Sequence, residues 1–288
     1  MASDPQSATE VVHGGFLTEL AKEYPLLLFF VLAYGLGWGM VAPRVLSWLG
    51  LVRFNVPDWW IEASFYAPAI AGFCMQWLTE RNLNVFRLYD DPVKLLLGLA
   101  VGAFLVLICN PLIPSLLSRA APFHTLDWRV FLSLWAYHFY LSEPLTPIGE
   151  EIGWRGYALP RLQNRFGAVL ASGLIGAAWA GFMLPALSLI QMWPTSGVVM
   201  YGIALVALSV EITLAMNISG SSIIVAVAMN TLAAAQTGYL ARALVGGSRP
   251  RPHWEWIASL SNLLVPIFLI VATGGRLGKR SSGDAVNG

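Results

Sequence analysis

Gly149-Glu150-Glu151-Ile152-Gly153-Trp154-Arg155-Gly156-Tyr157-Ala158-Leu159-Pro160-Arg161 sets two adjacent carboxylates and an arginine at the edge of an otherwise apolar chain. Moving a charge out of water is expensive unless the charge is paired or used. Glu151 and Arg155 are four apart, which puts them on one helix face with the glutamate on the N-terminal side. Glu150 points about 100° away on the same helix. A division of labour is therefore expected, with Arg155 holding Glu151 while Glu150 faces a cavity and serves as a general acid or base. The same residues also fit an interfacial ion pair capping a short helix, and residue type alone does not separate the two readings.

The surroundings set the solvent. Of 288 residues, 57% are hydrophobic and only 11% charged, with a mean hydropathy of +0.64. Soluble domains carry about 25% charged residues, so the chain reads as an all-α polytopic protein embedded in a lipid bilayer. A net charge of +1 lacks the basic face that nucleic acid requires. Cys74 and Cys109 lie in apolar runs, where a thiol behaves as a small hydrophobe. The first fifteen residues lack the basic start, apolar stretch and cleavage site of a signal peptide, and Asp284 to Gly288 is no prenylation box. Insertion is thus expected to rely on internal helices.

A span needs about 20 apolar residues, and eight such stretches are expected. They run from about Pro25 to Leu49, Trp59 to Leu78, Val93 to Leu117 and from Trp128 through Trp135, His138 and Tyr140 towards the glutamates. The later four are about Gly167 to Leu189, Val198 to Asn217, Ser222 to Tyr239 and Trp254 to Thr273. Pro111 and Pro114 are expected to kink or end the third, and Pro144 and Pro147 to break the fourth. The domain reading is a polar N-terminal segment (1–23), one eight-helix transmembrane domain (24–273) and a disordered tail (274–288). Eight spans put both termini on one side. That side carries Lys22, Arg81, Arg87, Lys94, Arg155, Arg161, Arg165, Arg276, Lys279 and Arg280, ten basic residues. The opposite side carries Arg44, Arg53, Arg119, Arg129, Arg242, Arg249 and Arg251, which is seven. The bias favours cytoplasmic termini. Glu211, in the sixth stretch, is costly in mid-membrane and either faces the same cavity as the glutamate pair or joins a neighbouring helix.

The opening stretch, continued through Leu162-Gln163, resembles the Glu-Glu-x-x-x-Arg motif of the CPBP family. These are intramembrane glutamic proteases that include CAAX prenyl endopeptidases and bacteriocin-processing proteins. The similarity extends over roughly Pro144 to Ala235, and it implies the eight-helix CPBP/CAAX-protease-like bundle. It also implies that Glu150 is the base that activates water, with Glu151 and Arg155 in support. The family's second motif, an aromatic residue, three others and histidine, falls on Trp179-Ala180-Gly181-Phe182-Met183. Its histidine position is Met183. The third, His-x-x-x-Asn, places the histidine at Asn230 and the asparagine at Ala234, or, in the other register, Ala226 and Asn230. Neither register contains a histidine, and His13, His124, His138 and His253 fit neither motif.

These departures shape the functional expectation. Methionine neither donates a strong hydrogen bond nor shuttles a proton, while Asn230 can donate to an oxyanion without acting as acid or base. Two carboxylates without histidine make a poor zinc site, so neither metal nor cofactor is expected. Three functions follow. The chain is a family member in which peptide hydrolysis is impaired or lost and the old cavity binds a membrane partner. Otherwise it is an active endopeptidase using Glu150, or an acid–base enzyme repurposed for a lipid or isoprenoid. The expected partners are a membrane-embedded peptide, a prenylated or isoprenoid-like substrate, or a membrane protein.

Overall fold

Proline marks where helices begin in this chain. The computed structural model describes residues 15–53, 55–113, 129, 133, 136, 146–190, 194–245, 260 and 262–279, with side chains described through Gln236 in the 194–245 segment. Helix α1 spans Phe16–Glu23 and α2 spans Pro25–Trp48. Helix α3, Asp58–Ala63, passes through one tight turn at Ser64–Tyr66 into α4, Ala67–Glu80. Helix α5 covers Pro92–Ile113. Pro25 and Pro92 occupy first-turn positions, where a missing N–H costs nothing and the fixed φ suits a helix.

The next helical run, Thr146–Ile190, is interrupted at Gly167 (φ 78°, ψ 172°) into two arms, α6 (146–166) and α7 (168–190). That backbone region is essentially reserved for glycine. The interruption reverses the chain. Glu150 and Trp179 would stand about 44 Å apart on a straight helix, yet their side chains hydrogen-bond. Helices α8, Thr195–Ile218, α9, Ile223–Val245, and α10, Leu264–Ala272, follow. The fold is all-α and polytopic. Among the described residues, four runs are long and apolar enough to cross a membrane: α2, α5, the Thr146–Ile190 run and α8.

Lipid offers no hydrophobic drive between helices, so close contact of small residues has to hold them together. Gly98 of α5 lies against Ser219 and Val225, Gly102 against Met229, and Gly176 of α7 against Val206 and Ser209. Between these contacts sits a core of Phe29, Met75, Trp154, Tyr157, Ile175, Trp179, Ile212 and Met229.

One end of the bundle is laced by polar contacts. Arg161 Nη2 donates to Glu80 and Gln76, both at 2.8 Å. The Ile223 amide donates to the Arg87 carbonyl at 2.9 Å. Gln163 donates to Asn217, whose own amide donates to the Leu277 carbonyl at 2.8 Å. Lys279 reaches Asn164 at 3.0 Å.

Several sequence expectations change here. The stretch from Trp59 to Leu78 is two helices, because Pro68 enters the first turn of α4 and has no N–H to continue a helix arriving from α3. Pro111 does not end the third stretch. A wider π-type turn at Leu105–Cys109 precedes it and takes up the clash its ring would make with the carbonyl four residues earlier. The tail expected to be disordered from Gly274 is ordered through Lys279, because fully buried Leu277 packs among Leu214, Ala168 and Val265. The N-terminal segment includes α1, which buries Thr18 and Ala21 and packs on α4. Arg155 leaves the set of loop cations, since it is fully buried within α6. The fourth stretch, with Trp135, His138 and Tyr140, lies outside the described residues apart from isolated positions, as do His13, His124 and His253.

Candidate active site

The glutamate motif enters the bundle as helix, and its glycines explain how it fits. Gly149 faces the Ser64–Tyr66 turn, Gly153 faces Pro68 of α4, and Gly156 faces Val85 and Phe86. A β-carbon on Gly153 would collide with the Pro68 backbone. Over Ile152–Ala158 the arm widens into a π-type turn, an irregularity often found at functional sites. The result is a carboxylate pair carried deep into the protein: Glu150 is 4% exposed and Glu151 0%.

Two other helices close on the pair. Glu151 Oε1 accepts from Arg155 Nη1 at 3.0 Å, an ion pair with both side chains fully buried. From α9, the Asn230 amide Nδ2 donates to Glu151 Oε1 at 2.9 Å and to Glu150 Oε2 at 3.2 Å. An amide nitrogen carries two hydrogens, so Asn230 can serve both carboxylates at once. From α7, Trp179 Nε1 donates to Glu150 Oε1 at 3.0 Å. The face of the same indole lies 4.5 Å from the Arg155 guanidinium carbon, a cation–π contact that gains strength when desolvated. Trp179 thus links the two halves of the motif.

The expected division of labour holds on one side. Glu151 is held by Arg155 as the four-residue spacing requires. Glu150 is bound as well, by Trp179 and Asn230, where the sequence reading expected it to face a cavity alone. Met183 sits one turn beyond Trp179, half-buried against the apolar core. Ala234 is half-buried one turn beyond Asn230, and Ala226 is fully buried one turn before it. Asn230 is therefore the residue of that helix that reaches the glutamates. Glu211 is fully buried and accepts from Asn110 Nδ2 of α5 at 2.9 Å. No group of three or more metal-ligating side chains occurs among the described residues.

The convergence of Asn230 and Trp179 on the carboxylates was not readable from spacing. One signal for Asn230 was present, since it is the first polar side chain after Ser222 in an otherwise apolar stretch. Asn110, the amide in the apolar run Val106-Leu107-Ile108-Cys109-Asn110-Pro111, is an equivalent signal.

A family model described as type II CAAX prenyl endopeptidase Rce1-like matches residues 132–235. Over that stretch the chain is similar to the CPBP/CAAX protease family. The match contains Glu150, Glu151, Arg155, Trp179, Met183, Asn230 and Ala234. No curated protein matches the chain. Together with the apolar helices, this similarity makes the chain an integral membrane protein in contact with the bilayer.

Proposed function

We propose that this CPBP-family protein receives a membrane-embedded peptide, a prenylated or isoprenoid-like chain, or a membrane-protein partner at its Glu150–Glu151 centre, and that ordinary peptide hydrolysis there is impaired or lost. One observation carries the reading: the two oxygens of Glu150 accept from the Trp179 indole and the Asn230 amide. An indole N–H only donates, and an amide neither takes up nor releases a proton at neutral pH. A glutamate base needs groups around it that orient water and stabilise the oxyanion, and groups acting as a unit lose activity together when some are removed.

A second reading has its own support. Asn230, within hydrogen-bonding reach of Glu150, can also donate to an oxyanion, which leaves an endopeptidase that uses Glu150 as base. One assay separates the two. Purified protein is incubated with a prenylated or membrane-embedded peptide, and the products of wild type and Glu150→Gln are compared. The expected result is equal, background cleavage by both, with cleavage gained by the Met183→His, Asn230→His, Ala234→Asn triple variant. Wild-type cleavage that disappears in Glu150→Gln establishes the endopeptidase instead.

The proposed orientation has both termini in the cytoplasm. With Arg155 removed from the loops, nine basic residues remain on the terminal side against seven opposite, and the bias keeps its sign.

A further inference from the structure

Away from the glutamate motif, α5 and α8 meet at a second buried polar contact. Asn110 Nδ2 donates to Glu211 Oε2 at 2.9 Å. The other two oxygens of this contact, Glu211 Oε1 and Asn110 Oδ1, are buried and have no hydrogen-bond partner among the described residues. No ion pair among the described residues includes Glu211. Its chain neighbours Val210 and Ile212 are buried apolar residues, and a buried apolar cluster of Leu105, Val210, Leu214 and Val265 joins α5, α8 and α10. Among the described residues the Cys109 thiol is the titratable group that lies close enough to interact electrostatically with Glu211.

Two unpartnered acceptors beside one donated bond form a specific pattern. An amide and a carboxylic acid complement each other through two bonds, N–H to one carboxyl oxygen and O–H to the amide oxygen. The first bond is present here. The second requires a hydrogen on Glu211 Oε1, and that hydrogen would satisfy both orphaned oxygens together. An ionised carboxylate at the same place would leave a charge in apolar surroundings with a single neutral donor, the arrangement that burial penalises most.

We propose that Asn110 and Glu211 form a proton-binding site within the membrane core, with the proton carried on Glu211 Oε1 and donated to Asn110 Oδ1, joining α5 to α8 as a neutral acid–amide pair. The site is independent of the reading given to Glu150. It also accounts for a glutamate placed deep in an apolar span without a cation among the described residues.

Infrared difference spectroscopy on the full chain purified in detergent at neutral pH tests this. Wild type minus Glu211→Gln should show a band in the carbonyl-stretch region of protonated carboxyl groups. That band should move to higher frequency in Asn110→Ala, where its acceptor is gone. A difference band in the carboxylate stretching region instead would overturn the proposal. So would sodium-dependent thermal stabilisation of wild type, measured against choline, that is lost in Glu211→Gln, because a cation would then fill the place given to the proton. Should Glu211→Gln fail to fold, Asn110→Ala still decides: a protonated-carboxyl band that does not differ from wild type overturns the assignment.

Discussion

Arg155 and Glu151 share a site closed to bulk solvent. Both are fully buried and 3.0 Å apart, and Asn230 donates to Glu151 while the Trp179 ring lies over Arg155. The worth of such a pair lies mostly in the penalty for breaking it. Removing one partner of a buried pair costs about 3–5 kcal/mol, whereas replacing both with neutral groups is far milder. Arg155→Met should therefore destabilise the protein strongly, and Arg155→Met with Glu151→Gln should recover much of the loss. Unfolding in detergent measures both, and equal losses in the single and double variants would show that the pair is not the source. Trp179→Phe should have a narrower effect, removing the donor to Glu150 while keeping an aromatic face for Arg155.

At the scale of elements, the reversal between α6 and α7 controls whether the site forms, because it returns Trp179 to Glu150. Gly167 holds a backbone conformation that costs other residues about 1–3 kcal/mol. Gly167→Ala should lower stability by about that much, while Gly173→Ala, whose added methyl would meet nothing within 4 Å, should be near neutral. A Gly167→Ala protein as stable as wild type would mean that the bend is maintained by packing alone. The start of α5 offers a pH-dependent test. Asp91 caps the helix by accepting from the amides of Val93 and Lys94, and these backbone bonds, chiefly the one from Val93, hold its carboxyl below the usual value. Its ionised form is thus favoured in the folded state, so its contribution is present at neutral pH and is lost as pH falls through the depressed folded value. Asp91→Asn should lower the melting temperature at neutral pH and narrow the gap to wild type in acid; a gap that stays constant with pH would rule out the carboxylate as the cause.

For the molecule as a whole, the contacts of Arg161 with Glu80, of Ile223 with Arg87 and of Lys279 with Asn164 put the 80–92 loop, the α6–α7 bend, the α8–α9 turn and the C-terminal residues at one end. Arg44 and Asp58 pair near the far end of α2. In a variant lacking Cys74 and Cys109, single cysteines at Lys94 and Lys279 should label from the same membrane face and one at Asp58 from the opposite face. Labelling of Lys94 and Lys279 positions from different faces would overturn the proposed topology.

The sequence by itself determined what depends on composition and on near neighbours. Apolar content required a membrane protein, hydrophobic run length required helices that span it, and a four-residue spacing was enough to join Glu151 to Arg155. The motif resemblance pointed to Trp179 and Asn230, but tertiary structure alone decided which of their atoms meet the glutamates. Trp179 is 29 residues from Glu150 and Asn230 is 80 away, and neither distance is encoded in any helical period. Those contacts exist because the chain turns back at Gly167 and because Gly153 lets α6 approach Pro68 at van der Waals range. Asn110 and Glu211, 101 residues apart, meet for the same kind of reason: apolar helices packed through small residues bring buried polar groups together, and burial then leaves those groups little choice but one another.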